Sequence, residues 1–174
     1  MIKDKKDLID YLRADSYNYS SRTSGLWRRI RNDLGVTPIS EQKYIWLYIK
    51  SLRYLEYYIN KTQLPWDFVL RIFWNVRLKR YSHKTGFQIP PNTIGKGLTI
   101  WHWGTIIINE SVRIGENLTI HTGVIIGHKH QGGKCPKIGN NVILGGGCKI
   151  IGDVSIGDNV EIAPNACITK DCES

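Results

Sequence analysis

Ten aliphatic positions in the second half of the chain stand in one register of six: Ile108, Ile114, Ile120, Ile126, Ile138, Leu144, Ile150, Ile156, Ile162 and Ile168, with Gly132 at the single missing beat. A second register runs two residues earlier, through Val112, Leu118, Val124, Val142, Cys148, Val154, Val160 and Ala166. Neither a helix, with about 3.6 residues per turn, nor a strand, with its alternation of two, produces a period of six. The regularity therefore needs an architecture of its own, built from a short repeated unit. Gly115, Gly127, Gly139, Gly145 and Gly157 directly follow the first register, where the chain can turn a corner. Ile94, Ile100 and Ile106 repeat at the same interval but stand two residues out of phase with the rest.

Units such as Ile138-Gly139-Asn140-Asn141-Val142-Ile143 and Ile156-Gly157-Asp158-Asn159-Val160-Glu161 resemble the hexapeptide repeat of left-handed parallel β-helix proteins. The resemblance implies triangular coils of three hexapeptides, aliphatic side chains pointing inward, and coils stacked at about the 4.8 Å spacing of β-strands. Stacked columns would then include Ile108, Ile126, Leu144 and Ile162. The expected fold class is mainly β with an α-helical N-terminal part, the β portion being a left-handed parallel β-helix.

The first half has a different composition. Residues 1–90 hold 17 Lys and Arg against 8 Asp and Glu, whereas residues 91–174 hold 7 against 7, so the whole net charge of +9 lies N-terminal. All nine Tyr and four of six Trp also precede residue 82. Two units follow from this: a helical, basic, aromatic-rich unit over 1–85 and the β-helix over 86–174. Leu8, Ile9 and Leu12 predict a helix over 4–14, with a loop from Ser16 to Ser24. Pro38-Ile39-Ser40 reads as a helix start, with Ser40 able to cap and Glu41 in the first turn. Tyr44, Tyr48, Leu52, Leu55 and Ile59 then form one apolar stripe over about 41–60. Pro65 opens a further helix, through Val69, Ile72, Phe73 and Val76 to Arg80.

No stretch reaches the ~18 apolar residues of a membrane span, and Met1-Ile2-Lys3-Asp4-Lys5-Lys6-Asp7 lacks a signal-peptide core, so a cytoplasmic location is expected. Cys135, Cys148, Cys167 and Cys172 show no CxxC or zinc-finger spacing and read as free thiols. No nucleic-acid-binding motif accompanies the basic charge. The basic helices could pack on the β-helix and on neighbouring subunits, or contact an anionic membrane surface. His121, His128 and His130 permit a zinc-site reading, since some left-handed β-helix enzymes hold zinc with three histidines, but their spacing has no strong metal signature and no metal is expected.

The segment Leu98-Thr99-Ile100-Trp101-His102-Trp103-Gly104-Thr105-Ile106-Ile107-Ile108-Asn109 resembles the part of serine acetyltransferases that holds a histidine general base, and Cys135-Pro136-Lys137-Ile138-Gly139 and Gly145-Gly146-Gly147-Cys148-Lys149 resemble later blocks of that family. The resemblance implies a hexapeptide-repeat acyltransferase with acetyl-CoA as co-substrate, His102 as base, and a homotrimer in which acetyl-CoA lies between adjacent β-helices. It sets the pantetheine arm of acetyl-CoA along Gly146, Gly147, Ala163 and Lys170 and puts Lys134 at an acceptor-recognising position; Gly132 and Gly133 are further candidates for acetyl-CoA, and Trp101, Trp103 and His121, beside the base, are candidates for the acceptor. An imidazole is suited to deprotonating a hydroxyl near neutral pH, and the glycine-rich loop from Gly127 to Gly133 could offer N–H donors to an oxyanion.

Two departures from the family bear on the acceptor. The aspartate that would orient the histidine is missing, because Phe87-Gln88-Ile89 runs into Pro90-Pro91, and Trp101 stands where a second aspartate is usual. The Arg-His pair that recognises an amino acid corresponds to Lys134-Cys135. On that ground a backbone carbonyl, a water or another side chain is expected to hold the His102 ring. Ile89-Pro90-Pro91-Asn92 and His102-Trp103-Gly104-Thr105-Ile106 resemble segments of the serine-acetyltransferase-like proteins of bacterial surface-polysaccharide pathways, and that resemblance implies a sugar hydroxyl as the expected acceptor, which could stack on Trp101 and Trp103, with serine as the alternative. An ammonium partner for serine would have to come from the helical unit, for example Asp15 or Asp67. The reading of another class is a metal-binding or non-catalytic β-helix protein.

Overall fold

The computed structural model describes residues 1–20, 41–61 and 64–173. Its second half is a left-handed β-helix of short parallel strands on three faces. The first face stacks β1 (Phe87–Gln88), β3 (Ile106–Ile108), β6 (Ile125–Gly127), β9 (Lys149–Ile151) and β12 (Cys167–Ile168). The second stacks β4 (Arg113–Ile114), β7 (Lys137–Ile138) and β10 (Ser155–Ile156). The third stacks β2 (Thr99–Ile100), β5 (Thr119–Ile120), β8 (Ile143–Leu144) and β11 (Glu161–Ile162).

The period of six follows from what each unit must do. Its aliphatic residue faces the interior, as Ile120, Leu144 and Ile150 do at no measurable exposure. The residue before the second aliphatic turns the corner: Asn117, Asn141 and Asn159 all have φ between 56 and 61°, a left-handed conformation that asparagine tolerates better than most side chains. Those side chains also bond along the stack, Asn117 Nδ2 donating to Asn141 Oδ1 at 2.9 Å and Asn141 Nδ2 to Asn159 Oδ1 at 3.0 Å.

The columns differ from the sequence expectation. Ile108 pairs with Ile126 and Ile126 with Ile150, while Leu144 pairs with Ile120 and Ile162. The reason is an excursion at 128–136: Ile126 to Ile138 spans twelve residues, where Ile108 to Ile114 and Ile150 to Ile156 span six. Because the excess equals one hexapeptide, the phase survives and the insertion looks like a missing beat. A second, smaller excess explains the out-of-phase leading segment. Ile100 pairs with Ile120 but Ile108 pairs with Ile126, so two extra residues lie between Ile100 and Ile108. Both insertions flank the first face.

Three helices are described: α1 (Lys5–Ser20), α2 (Glu41–Asn60) and α3 (Pro65–Thr85). Helix α1 continues through Ser16 to Ser20, where the polar composition suggested a loop, because Asp15 and Tyr19 are buried anchors on its last turns. The remainder of that expected loop, and the Pro38-Ile39-Ser40 cap, lie outside the described residues. Helix α3 runs five residues beyond Arg80 and ends where Gly86, at φ 81°, donates its N–H to Ser82 O. On α2, Tyr48, Leu52 and Leu55 are buried as the stripe requires, joined by Ile45 and Ile49. On α3 the packed side is instead Trp74, Leu78 and Tyr81, with Trp74 stacked on Tyr54 at 4.3 Å, and Val69, Ile72, Phe73 and Val76 are exposed.

These helices cover the open edge of the first coil. Tyr19 Oη accepts from Ile100 N and donates to Ile100 O, and Tyr48 Oη does the same for Ile89, satisfying edge groups that no neighbouring strand reaches. Burial pushes both phenols up from their ordinary range. Beside them, Arg53 of α2 is wholly buried, bonded to Asp15 of α1 at 2.7 Å and to Glu56 at 3.0 Å, and its guanidinium donates to Ile94 O and Gly95 O. Desolvation disfavours the Arg53 charge, but Glu56 and Asp15 more than offset it and its pKa is raised.

Candidate active site

The two extra residues between Ile100 and Ile108 swell the corner joining the third face to the first, and Trp101, His102 and Trp103 sit on that swelling. The His102 side chain is 64% exposed. Its Nδ1 lies 3.3 Å from Glu41 Oε2, and Glu41 Oε1 accepts the N–H of Trp103. The neighbouring Gln42 donates from Nε2 to Trp101 O at 3.1 Å. The first turn of α2 thus grips the backbone on both sides of His102. Of the three groups expected to hold the ring in the absence of a carboxylate at Pro90 and Pro91, the one that faces it is another side chain, a carboxylate from a distant segment. Sequence reasoning placed Glu41 in a helix start and had no means of docking that helix 61 residues away.

The two indoles are partly committed. Trp103 stacks on Tyr44 at 6.0 Å, and Trp101 on His121 at 6.5 Å; each indole remains roughly 40% exposed (39% for Trp101, 44% for Trp103). One coil beyond His121, and two beyond the indoles, stands the Gly145-Gly146-Gly147 turn at this corner, and one further again Ala163. Gly147 has a backbone reason to be glycine, with φ 77°. Gly146 has none: a Cβ there would meet only Thr122 O at 3.5 Å and His121 Cβ at 3.8 Å, ordinary contacts. Its bareness leaves the coil surface beside His121 open to a narrow chain.

The remaining candidates gather at the other edge of the first face. Gly132, Gly133 and Lys134 belong to the 128–136 excursion, and Lys170 follows β12 at the same corner. There Asn109 bridges two side chains, Nδ2 meeting His128 Nδ1 at 3.1 Å and Oδ1 accepting from Cys135 Sγ at 3.3 Å. Burial pushes the Cys135 thiol up. Lys134 Nζ is held by Asp153 at 2.8 Å, both well exposed, an arrangement that raises the lysine's pKa. A three-residue strand separates the two corners, roughly 10 Å at about 3.3 Å per residue. Within one chain His102 thus shares a corner with Trp101 and Trp103, with His121 one coil along, Gly146 and Gly147 two and Ala163 three, at about 4.8 Å per coil, while Gly132, Gly133, Lys134 and Lys170 lie at the opposite corner of the face.

The other carboxylates named from sequence are engaged elsewhere: Asp15 with Arg53, and Asp67 with Lys61 at 2.8 Å. The three histidines of the zinc reading are divided, His121 at one corner and His128 and His130 at the other. Among the described residues no group of three or more His, Cys, Asp or Glu side chains could hold a metal ion. Among them, too, no helix is long and apolar enough to cross a membrane.

Residues 135–170 match the family of bacterial transferase hexapeptide repeats, six repeats in length. The chain is similar to a serine acetyltransferase of Helicobacter pylori, 40% identical over 90 residues covering 50% of this chain and 53% of that one. It is similar also to a serine acetyltransferase of Staphylococcus xylosus, 39% identical over 93 residues covering 52% and 43%. The chain spans about half the length of these relatives. The soybean serine acetyltransferase apoenzyme shares the fold over 97% of this chain and 64% of its own, with a TM-score of 0.67 at 22% identity. The serine acetyltransferase of Brucella abortus in complex with coenzyme A does so over 98% and 66%, with a TM-score of 0.61 at 19% identity.

Proposed function

We propose that this hexapeptide-repeat chain, similar to serine acetyltransferases, is an acetyl-CoA-dependent O-acetyltransferase with His102 as general base. The observation that carries the reading is a histidine on the swollen corner of a hexapeptide-repeat β-helix, in a chain 40% identical to a serine acetyltransferase over half of its length. His102 Nε2 takes the proton of the acceptor hydroxyl as its oxygen attacks the thioester carbonyl carbon of acetyl-CoA. The carbon–oxygen bond forms, and backbone N–H groups of the 127–133 segment meet the oxyanion. On collapse the carbon–sulfur bond breaks and the imidazolium returns its proton to the leaving thiolate. Transfer is direct, and the bare coil surface at Gly146, Gly147 and Ala163 suits the pantetheine arm.

Because Gly132, Gly133, Lys134 and Lys170 stand a face-width from His102, we place the complete site between two copies, the excursion of one approaching the corner of the next in a homotrimer. The acceptor favoured by the relatives' names is serine. The objection raised from the sequence had two parts, and Glu41 answers the one about a carboxylate behind the histidine, while the ammonium of serine would be met by another group. Lys134 is within an exposed pair with Asp153, worth little and readily exchanged for a substrate carboxylate. A sugar remains the second reading, supported by the part-exposed indoles of Trp101 and Trp103, although Tyr44 and His121 already cover one side of them.

Thiol release from acetyl-CoA tests both levels. L-serine should outpace a panel of sugars and nucleotide-sugars, and a sugar with the higher kcat/KM would overturn the acceptor. His102→Ala should slow transfer by about 10²–10⁴; a folded variant of near-normal rate would remove His102 as the base.

A further inference from the structure

We infer that Glu41 is a positioning residue for His102, supplied by the helical unit in place of the carboxylate that the β-helix lacks at Pro90 and Pro91. The inference rests on reading His102 as the base, and its geometry is independent of that reading. The two Glu41 oxygens do different things, Oε2 facing the His102 ring at Nδ1 and Oε1 accepting the N–H of the next residue. Gln42, one position along the same turn, holds the carbonyl of the residue before. Ring and backbone are thereby clamped from one helix end.

A carboxylate only accepts hydrogen bonds, so facing Nδ1 it selects the tautomer with the proton on Nδ1 and leaves the Nε2 lone pair for the acceptor hydroxyl. The 3.3 Å separation is long, as bonds in substrate-free sites often are before they tighten. Exposure argues that the contact is not there for stability: with the two side chains 64% and 27% exposed, the pair is screened by water. What it offers is orientation. The helix that presents Glu41 is itself fixed, through Tyr48 on Ile89 and Arg53 on Ile94 and Gly95, to the coil that precedes His102. The base is therefore oriented across the junction between helices and β-helix.

The test uses the whole chain. Glu41→Gln keeps an oxygen for Trp103 N–H and removes the charge, while Glu41→Asp keeps the charge on a shorter arm. For Glu41→Gln we expect kcat to fall about 10–100-fold, as when a carboxylate behind a ligating imidazole is lost, with KM for both substrates within about twofold. The ring-nitrogen NMR signals of His102 should pass from one tautomer to a mixture, and Glu41→Asp should recover part of both. Ring signals unchanged in Glu41→Gln, whether or not kcat falls, overturn the inference. His102→Ala in the same series separates the two ideas: if it still transfers acetyl, the base lies elsewhere, and the ring signals alone decide whether Glu41 holds the imidazole.

Discussion

Arg53 shows how one residue can join two kinds of structure. A buried guanidinium is costly to desolvate, and its charge persists here because Asp15 and Glu56 flank it. Those carboxylates are doubly used: Asp15 Oδ1 also accepts from Gly97 N and Leu98 N, and Glu56 Oε1 from Asn92 N. Removing the guanidinium would leave two buried carboxylates without their cation, and Arg53→Ala should cost about 3–5 kcal/mol. Urea unfolding at fixed protein concentration measures it, and a loss below about 1 kcal/mol would mean that water enters and solvates the cluster. Apolar replacement of all three charges, often harmless in buried ion pairs, should not restore stability, because three backbone N–H groups would lose their acceptors. None of this was legible in the sequence. Asp15 read as a possible substrate contact, since nothing in an amphipathic pattern says which charge on a helix is buried against another unit.

At the scale of elements, the strands and the site part company. The repeat made the β-helix legible because every inward aliphatic had to recur at one interval. Its defects were legible only as numbers: the two-residue phase slip between Ile106 and Ile108 was visible, but its meaning, a corner pushed outward beneath His102, needed the pairing of Ile100 with Ile120 and of Ile108 with Ile126. The six-residue excess at 128–136 was concealed altogether, being indistinguishable from a degenerate hexapeptide. The excursion should accordingly be separable from the scaffold. Joining His128 to Cys135 by deleting residues 129–134 restores a six-residue interval and removes only an exposed ion pair and a local turn. The thermal midpoint should then move by no more than about 2 °C, in line with a surface change of about half a kilocalorie per mole, while acetyl transfer is lost. Transfer at the parent rate would show that the excursion lies outside the site.

The whole molecule, on this account, holds two half-sites at the edges of one face and completes neither alone. Mixed assemblies test that directly. Chains bearing His102→Ala and chains lacking residues 129–134 should each be inactive, yet unfolding and refolding them together should restore activity, because some junctions would pair an intact corner with an intact excursion. Mixtures no more active than their parts would place both halves of each site in one chain.

A stack of parallel coils has no built-in length: each coil presents the next with the same row of donors and acceptors, the condition under which strands elongate into filaments. The hydroxyls of Tyr19 and Tyr48, set on Ile100 and Ile89, occupy that row with side chains that offer nothing further to copy. The helices that hold His102 in place are thus also the terminator of the stack, and keep an open edge from recruiting another molecule.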